Sequence, residues 1–386
     1  MKIVVNGGGP SGLYFALLAR KRLGAEVEVF EQNPRDATYG FGIVLADRGL
    51  NRLQAADEPS YEMIMRSSYV SRHRVLMHNG EKIFIEGGGY GGAIARLRLL
   101  EILQECCEDA GVVMHFGGRM DVADLPEADL IVAADGVNSA VRTAHAEAFG
   151  VTSYSLTNKL AWYGTQALFP YPILSFRRTA HGHFWGVGYA YTESMSTFVA
   201  ECDAETWQTS LVHMSDDERT ALAETIFAEE LAGRPLISNK SVWHSVPVTR
   251  VREWNVGNMV LIGDALHSAH PSIGSGTRIA MEDSIALLQA LETSEDIPSA
   301  LRNFRRSREP SKQKLVIAAE KSFTWYEHIA SRLGQLSAAE LTFDYLRRTE
   351  RLDGERLTQE FPLFMEKYGH IGRAYEERLR AQAGAA

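Results

Sequence analysis

The chain has 386 residues, 45% of them hydrophobic and 23% charged, with a formal net charge of -9. Such a composition belongs to a folded protein long enough for two domains, and the acidic balance argues against nucleic acid or an anionic membrane as a general partner. No apolar run approaches the roughly 20 residues a bilayer-spanning helix needs. The N-terminus runs straight into a strand pattern, so no signal peptide is expected. The three cysteines show no C-x-x-C pair and no metal-ligand spacing, so reduced, buried thiols in a cytoplasmic protein are expected, with no metal site.

Residues 2–5 form a short apolar run. A glycine-rich turn follows at 6–12, then an apolar helix pattern at 13–23 stopped by Gly24. Residues 26–30 alternate polar with apolar and end at Glu31. Strand, glycine turn, helix, strand and acid are the context that a G-x-G-x-x-G match requires. Gly7 permits the tight turn, Gly9 lets a pyrophosphate approach the backbone, and Gly12 lets the helix close on the sheet. The helix start, at Pro10 and Ser11, offers free N–H groups and a positive dipole end to phosphates. Glu31 stands where a carboxylate takes both hydroxyls of an adenosine ribose, and it would repel a ribose phosphate. FAD or NAD is therefore expected here over NADP.

A polar, glycine-rich loop at 32–42 precedes the strand-like residues 43–45. Residues 50–67 read as helical. Alternating β-formers at 69–85 predict a hairpin around Asn79-Gly80, and 87–92 reads as a second glycine-rich loop. A helix is expected at 96–110, and buried strands at 112–116 and 130–134. Residues 159–202 are dense in aromatics and strand formers, predicting an antiparallel sheet separate from the β-α-β units. A helix near 216–231, a strand around 242–246, an apolar strand at 259–262 and a long helix at 276–291 follow. Mostly helix is expected from 298 on, with a frayed tail at 381–386.

The expected fold is α/β: a discontinuous Rossmann-like dinucleotide-binding domain (1–68, 95–157 and 255–308), an antiparallel sheet domain for substrate (69–94 and 158–254), and a helical C-terminal region (309–386). The discontinuity makes the 259–262 strand a neighbour of the first turn.

Two further strand ends carry chemistry. At Gly263-Asp264 a glycine lets a ligand approach, and Asp264 offers an acceptor for a sugar-like hydroxyl. The loop Gly274-Ser275-Gly276-Thr277 then opens the long helix, whose free N–H groups would face an acceptor gaining negative charge, such as the N1/O2 edge of a reduced flavin. Asp135-Gly136, with Ser139 and Arg142 behind it, reads equally as a plain turn and as a third site.

These three sites, in this order and spacing, resemble the flavin-dependent aromatic hydroxylases, the single-component monooxygenases of the para-hydroxybenzoate hydroxylase fold. The resemblance covers nearly the whole chain. It is closer to the hydroxylases of salicylyl-CoA and 2-aminobenzoyl-CoA, through the stretches YGFGIVLAD (39–47), RLRLLEILQ (96–104), WYGT (162–165), YAYTESMSTFVAE (189–201) and 243–287. The tryptophan-derived violacein-pathway hydroxylases share several of these. The resemblance implies FAD bound through Gly7, Gly9, Pro10, Ser11, Gly12, Glu31 and Gln32. Arg96 would reach its phosphates or ribityl chain, Asp135, Gly136, Gly263 and Asp264 would follow, and Gly42, Ile43, Val44, Pro271 and 274–277 would line the isoalloxazine. NADH or NADPH would reduce the flavin, and a C4a-hydroperoxide formed with O2 would hydroxylate a ring activated by a hydroxyl or amine. The implied substrate is a 2-hydroxy- or 2-aminobenzoyl thioester of CoA or a carrier protein, attacked at the 5-position, para to the activating group. A free aromatic or an indole intermediate is the other reading. In two places the chain departs from the group it resembles: no arginine stands within 40–45, where para-hydroxybenzoate hydroxylase places one against the cofactor, and Pro271 occupies a position that is usually aromatic in the acyl-CoA hydroxylases.

No catalytic acid or base stands out. Tyr163, Tyr189 and Pro271 are pocket candidates, and the tyrosines read equally as core. His267 and His270 suit pocket lining or packing better than a metal. Arg177, Arg178, His181 and His183 suit either CoA phosphates or a solvated face. The absence of G-x-S-x-G opposes a hydrolase. A plain NAD dehydrogenase has no use for the Gly263-Asp264 loop joined to a long helix, and the tryptophan-rich motif of flavin halogenases is missing. A non-catalytic FAD-bound protein would be told apart by the absence of substrate-stimulated NAD(P)H oxidation.

Overall fold

The computed structural model describes residues 1–384 apart from 38, 47–49, 268–269 and 275; the side chains of 46, 88–91 and 382–384 are likewise not described. In chain order the strands are β1 (Lys2–Asn6), β2 (Glu26–Glu31), β3 (Gly42–Ala46), β4 (Tyr69–His78), β5 (Glu81–Ala95), β6 (Val113–Phe116), β7 (Leu130–Ala133) and β8 (Val151–Ser155). There follow β9 (Lys159–Thr165), β10 (Ile173–Thr179), β11 (Gly182–Ala190), β12 (Ser196–Cys202), β13 (Leu236–Ile237), β14 (Pro247–Val251), β15 (Asn255–Val256) and β16 (Met259–Leu261).

One sheet runs β15-β16-β7-β1-β2-β6, parallel except for β15. Its central strands β1, β7 and β16 are mostly apolar because helices cover both faces. The first helix, Pro10–Leu23, is buried from Ser11 to Ala19 and packs against the helix Gly276–Glu292. Gly24 stops it in the left-handed conformation (φ 61°), which glycine adopts at little cost. The late strand β16 is separated from β1 by β7, so it neighbours the first turn only across that strand.

The second sheet runs β13-β9-β12-β11-β10-β4-β5-β3. It is antiparallel except where β10 pairs with β4. Alternation gives it two different faces. Ala161, Tyr163, Phe184, Phe198, Ala200 and Cys202 pack with Phe227, Leu231 and Trp243 on one side. Trp185, Leu174 and Phe176 pack with Trp325, Tyr326 and Leu341 of the C-terminal helices on the other.

Two expected elements differ. Residues 87–92 continue β5, which reaches Ala95 because β4 and β3 supply hydrogen-bonding partners on its two sides. The strand placed at 242–246 is a single bridge at His244, and the strand proper begins at Pro247, where β8 lies alongside. The last helix, Pro362–Gly384, includes residues expected to fray. Among the described residues, no helix is long and apolar enough to cross a membrane.

Candidate active site

Three motif-bearing turns leave the carboxyl ends of three adjacent parallel strands: Gly7–Gly12 after β1, Asp135-Gly136 after β7, and Gly263-Asp264 after β16. Ligands of doubly wound sheets bind at such strand ends. Gly7 has φ 114°, and a Cβ there would lie 2.4 Å from the Ala134 carbonyl oxygen; a Cβ on Gly12 would lie 2.0 Å from that of Gly7. Gly9 differs, since its missing Cβ faces open space. It caps the first helix without a side-chain hydrogen bond, and the first turn carries no acid. The leading N–H groups are left for an anion.

Glu31 Oε2 accepts from the Gly8 N–H at 2.8 Å, which fixes the acid at the mouth of the turn. Arg96 opens the helix Arg96–Ala110, and its backbone N–H donates to the Phe41 carbonyl at 2.8 Å. Burial depresses its guanidinium, and the carboxylates of Asp264 and Glu31 raise it. One cation thus lies between the acids expected at the ribose and at the ribityl chain. Asp264 is open to the cleft on one side, yet the protein packed around it pushes its pKa up against the pull of His267 and Arg96. An uncapped helix start, a glycine with no room-filling neighbour and a cation flanked by two acids fit a diphosphate with sugar hydroxyls on each side. FAD has that chemistry.

Asp135, Ser139 and Arg142 form the frame behind the cofactor site. Asp135 Oδ2 accepts from the N–H groups of Ala140 and Val141, and Ser139 caps the helix Ala140–Ala144. Arg142 Nη1 donates to the Ala265 carbonyl at 2.8 Å and to that of Asp264 at 3.3 Å. This motif joins the second turn to the third. Among the described residues Asp135 Oδ1 has no hydrogen-bond partner, and burial raises the carboxyl's pKa. Gly136 has φ 77°.

Sequence reasoning missed a second device. Asp283, on the Gly276–Glu292 helix, accepts from the Gly263 N–H at 3.1 Å, from His267 Nε2 at 2.8 Å and from Arg308 Nε at 2.7 Å. Burial opposes its ionisation, but His267 and Arg308 hold its pKa below the usual carboxylate range. Glu282 beside it takes Arg278 and Arg308. The adjacent acids at 282–283, inside an apolar helix, were the available signal. His267 and His270 are both buried, His267 against Asp283. His270 Nδ1 accepts from the Ser272 N–H, and burial together with Arg348 lowers its pKa to about 4.

The expected isoalloxazine edge meets the large sheet at Gly42. Its N–H donates to Thr197 Oγ1 at 2.9 Å, its carbonyl accepts from the Tyr189 hydroxyl at 2.8 Å, and a Cβ on it would clash with the Tyr191 ring. Ile43 is buried and Val44 half-buried, Gln32 lies exposed, and Pro271 is exposed at the start of the turn leading to Gly274, Gly276 and Thr277. Ser275 lies outside the described residues. Tyr163 is a correction: it points into the opposite layer, accepting from Trp243 Nε1 at 3.0 Å. Arg177, left open between CoA phosphates and a solvated face, pairs with Glu229 and the buried Glu230.

On the cleft-facing side, Trp162, Val187, Tyr189 and Val199 are only partly buried although they sit within the sheet. They leave this face of the sheet partly open beside the Gly42 edge. At its far end Trp185 stacks on Tyr326 with centroids 5.9 Å apart, and beside it stands Glu201.

Comparison with known proteins agrees with this geometry. Residues 115–319 match a family described as FAD binding domain. The chain is 37% identical over 366 residues to a salicyloyl-CoA 5-hydroxylase of Streptomyces sp, covering 90% of this chain and 70% of that protein. It is 33% identical to a 3-hydroxy-4-methyl-anthranilyl-[aryl-carrier protein] 5-monooxygenase of Streptosporangium sibiricum, covering 88% and 97%. A crystal structure of 2-methyl-3-hydroxypyridine-5-carboxylic acid oxygenase superposes with a TM-score of 0.71 at 20% identity, covering 90% and 98%, and shows the shared fold. With the turn geometry, the second sheet and these likenesses together, the chain belongs to the family of single-component, FAD-dependent aromatic monooxygenases.

Proposed function

We propose that the protein hydroxylates a 2-hydroxy- or 2-aminobenzoyl thioester para to the activating group, with NADH or NADPH as reductant. The observation that carries this reading is the face of the large sheet bearing Trp162, Val187, Tyr189 and Val199, left partly exposed and reaching Gly42 through the Tyr189 hydroxyl. Bound FAD, reduced by the nicotinamide nucleotide, supplies an electrophilic oxygen derived from O2. The protein's own groups do the rest. The first helix start and Arg96 bind the diphosphate, and Asp264 and Glu31 orient sugar hydroxyls. The Asp283–Arg308 pair fixes the Gly263 turn, and the C-terminal helices keep water from the ring.

A thioester needs room for a charged arm. A cavity of about 410 Å³ lies between β14 and the helix Ile297–Glu327, bounded by His267 and His270 behind the flavin turn. Arg250, Arg252, Arg305 and Lys312 line it against Glu309 and Glu320. The three arginines pair with carboxylates near the surface, and such pairs exchange readily for phosphate, while Lys312 lies over the Trp254 ring. We therefore place the CoA phosphates here and not at Arg177. Residence in the cytoplasm, where CoA and NAD(P)H are made, accords with three buried free thiols. The experiment is a comparison of salicyloyl-CoA with salicylate. The thioester should raise kcat/KM at least tenfold over the acid, and Arg250→Ala with Arg252→Ala should raise KM for the thioester while leaving kcat near wild type. Equal use of both substrates contradicts the thioester.

A further inference from the structure

The strands fix distances along this face of the large sheet. Thr197, Val199 and Glu201 share one face of β12, and their partners Tyr189, Val187 and Trp185 lie opposite on β11. Thr197 and Tyr189 touch Gly42, at the edge where the flavin is expected. Four residues of strand place Glu201 roughly 13 Å further along, about the room for one benzene ring and its substituents. Between the two rows lie only Val187 and Val199.

Glu201 is 7% exposed. The nearest donor is the Trp185 indole, whose N–H has no other partner. A carboxylate at the inner end of an apolar strand is costly unless something binds it. The neighbouring helices bring little relief. From Ile297–Glu327 come Tyr326 and Glu327, and past Tyr326 stand Tyr345 and Arg348, whose guanidinium is spent on Ser272 and Ser322. Cys202 is adjacent on its own strand but points into the other layer. Burial, with Glu327 adding to it, pushes Glu201 up to about 7.

We propose that Glu201 is a substrate-contacting acid–base group, whose carboxylate takes the hydrogen bond of the ring's activating hydroxyl or amino group on the side facing away from the flavin. This rests on the reading that the ring is hydroxylated para to that group, because a para carbon turned to the flavin turns the activating group to Glu201. In the step, the phenolic O–H breaks and its proton passes to a Glu201 oxygen. The released electron pair moves through the ring to the para carbon, which bonds the electrophilic oxygen. That carbon then loses its own hydrogen as a proton to water, the ring becomes aromatic again, and Glu201 returns its proton to the ring oxygen. Overall, Ar–H, O2, NAD(P)H and H⁺ give Ar–OH, NAD(P)⁺ and H2O. A group poised near neutrality suits both directions of this transfer.

The test uses FAD-loaded enzyme with salicyloyl-CoA. Glu201→Gln should keep its FAD and lose about 10²-fold in the rate of 5-hydroxylation at pH 7, the scale of general-base catalysis. Its rate should recover as pH rises through the free phenol's own pKa, whereas the wild-type rate should rise around pH 7. In wild-type enzyme, the absorbance of the bound ring should show the phenolate at lower pH than the free thioester does, an observation that needs no variant to fold. Coincident pH profiles for Glu201→Gln and wild type, or a bound phenol that titrates as in water, overturn the role of Glu201 while para-hydroxylation stands. No stimulation of wild-type NAD(P)H oxidation by salicyloyl-CoA overturns the substrate reading itself, and this proposal with it.

Discussion

Two glycines of the first turn separate folding from cofactor binding. Gly12→Ala drives a methyl group into the Gly7 carbonyl, so it should damage the domain itself. Gly9→Ala meets no atom of the protein and should leave secondary structure and melting temperature unchanged, yet lower FAD affinity at least tenfold because the methyl group faces the diphosphate. Flavin absorbance after gel filtration, alongside circular dichroism, distinguishes the two; normal FAD content in Gly9→Ala would sink the placement of the diphosphate. The glycine turn was legible in the sequence because strand, helix and acid surround it within thirty residues. Glu201 was not. It ends a stretch of alternating strand, where a charge reads as an exposed face, and only the pairing of β12 between β9 and β11 shows that it is covered. Its stability effect has a definite sign. The folded pKa lies above the usual carboxylate value, so the folded state binds the proton more tightly and stability declines as pH rises from about 4.5 to 7. Glu201→Gln should therefore melt higher than wild type at pH 8 without substrate. A lower melting point would mark Glu201 as a structural residue.

At the scale of elements, the third turn is held from behind by one helix. Removing a partner from a buried ion pair costs about 3–5 kcal/mol, so Arg308→Ala should lower the urea midpoint sharply and release FAD. Asp283 has a folded pKa below its unfolded one, so its contribution is present above about pH 4 and is lost as pH falls through the folded value. Asp283→Asn should be less stable than wild type at pH 7, with the gap closing in acid. His270 adds an earlier acid sensitivity. Its folded pKa of about 4 lies below the unfolded 6.5, so the unfolded state binds the proton first and stability declines as pH falls from about 6.5 to 4. His270→Gln should flatten that window in a pH series of melting temperatures. The periodicity of 276–291 predicted this helix well, but its tertiary partner, Arg308, lies a further turn of chain away and leaves no local trace. The glycine-rich 87–92 segment misled for the opposite reason: its composition reads as a loop, while two flanking strands supply a ladder that only the assembled sheet provides.

Across the whole molecule, the parallel sheet carries the three motif-bearing turns and, on the proposed function, the large sheet holds the ring, with Gly42 where the two meet. The alternation of layers and the order of the three turns were legible along the chain. Which face of the large sheet meets the flavin was not, and this is why Tyr163 and Arg177 attracted attention that Val199 and Glu201 warranted. The central claim is that this architecture transfers one oxygen atom from O2 to an activated aromatic ring. The most direct measurement is mass spectrometry of the product formed from salicyloyl-CoA and NAD(P)H by the FAD-loaded enzyme under ¹⁸O2. The account predicts one ¹⁸O atom, at the ring position para to the hydroxyl, with NAD(P)H consumption that depends on the substrate. Unlabelled product, or NAD(P)H oxidation to hydrogen peroxide alone with every aromatic thioester and acid offered, would contradict it.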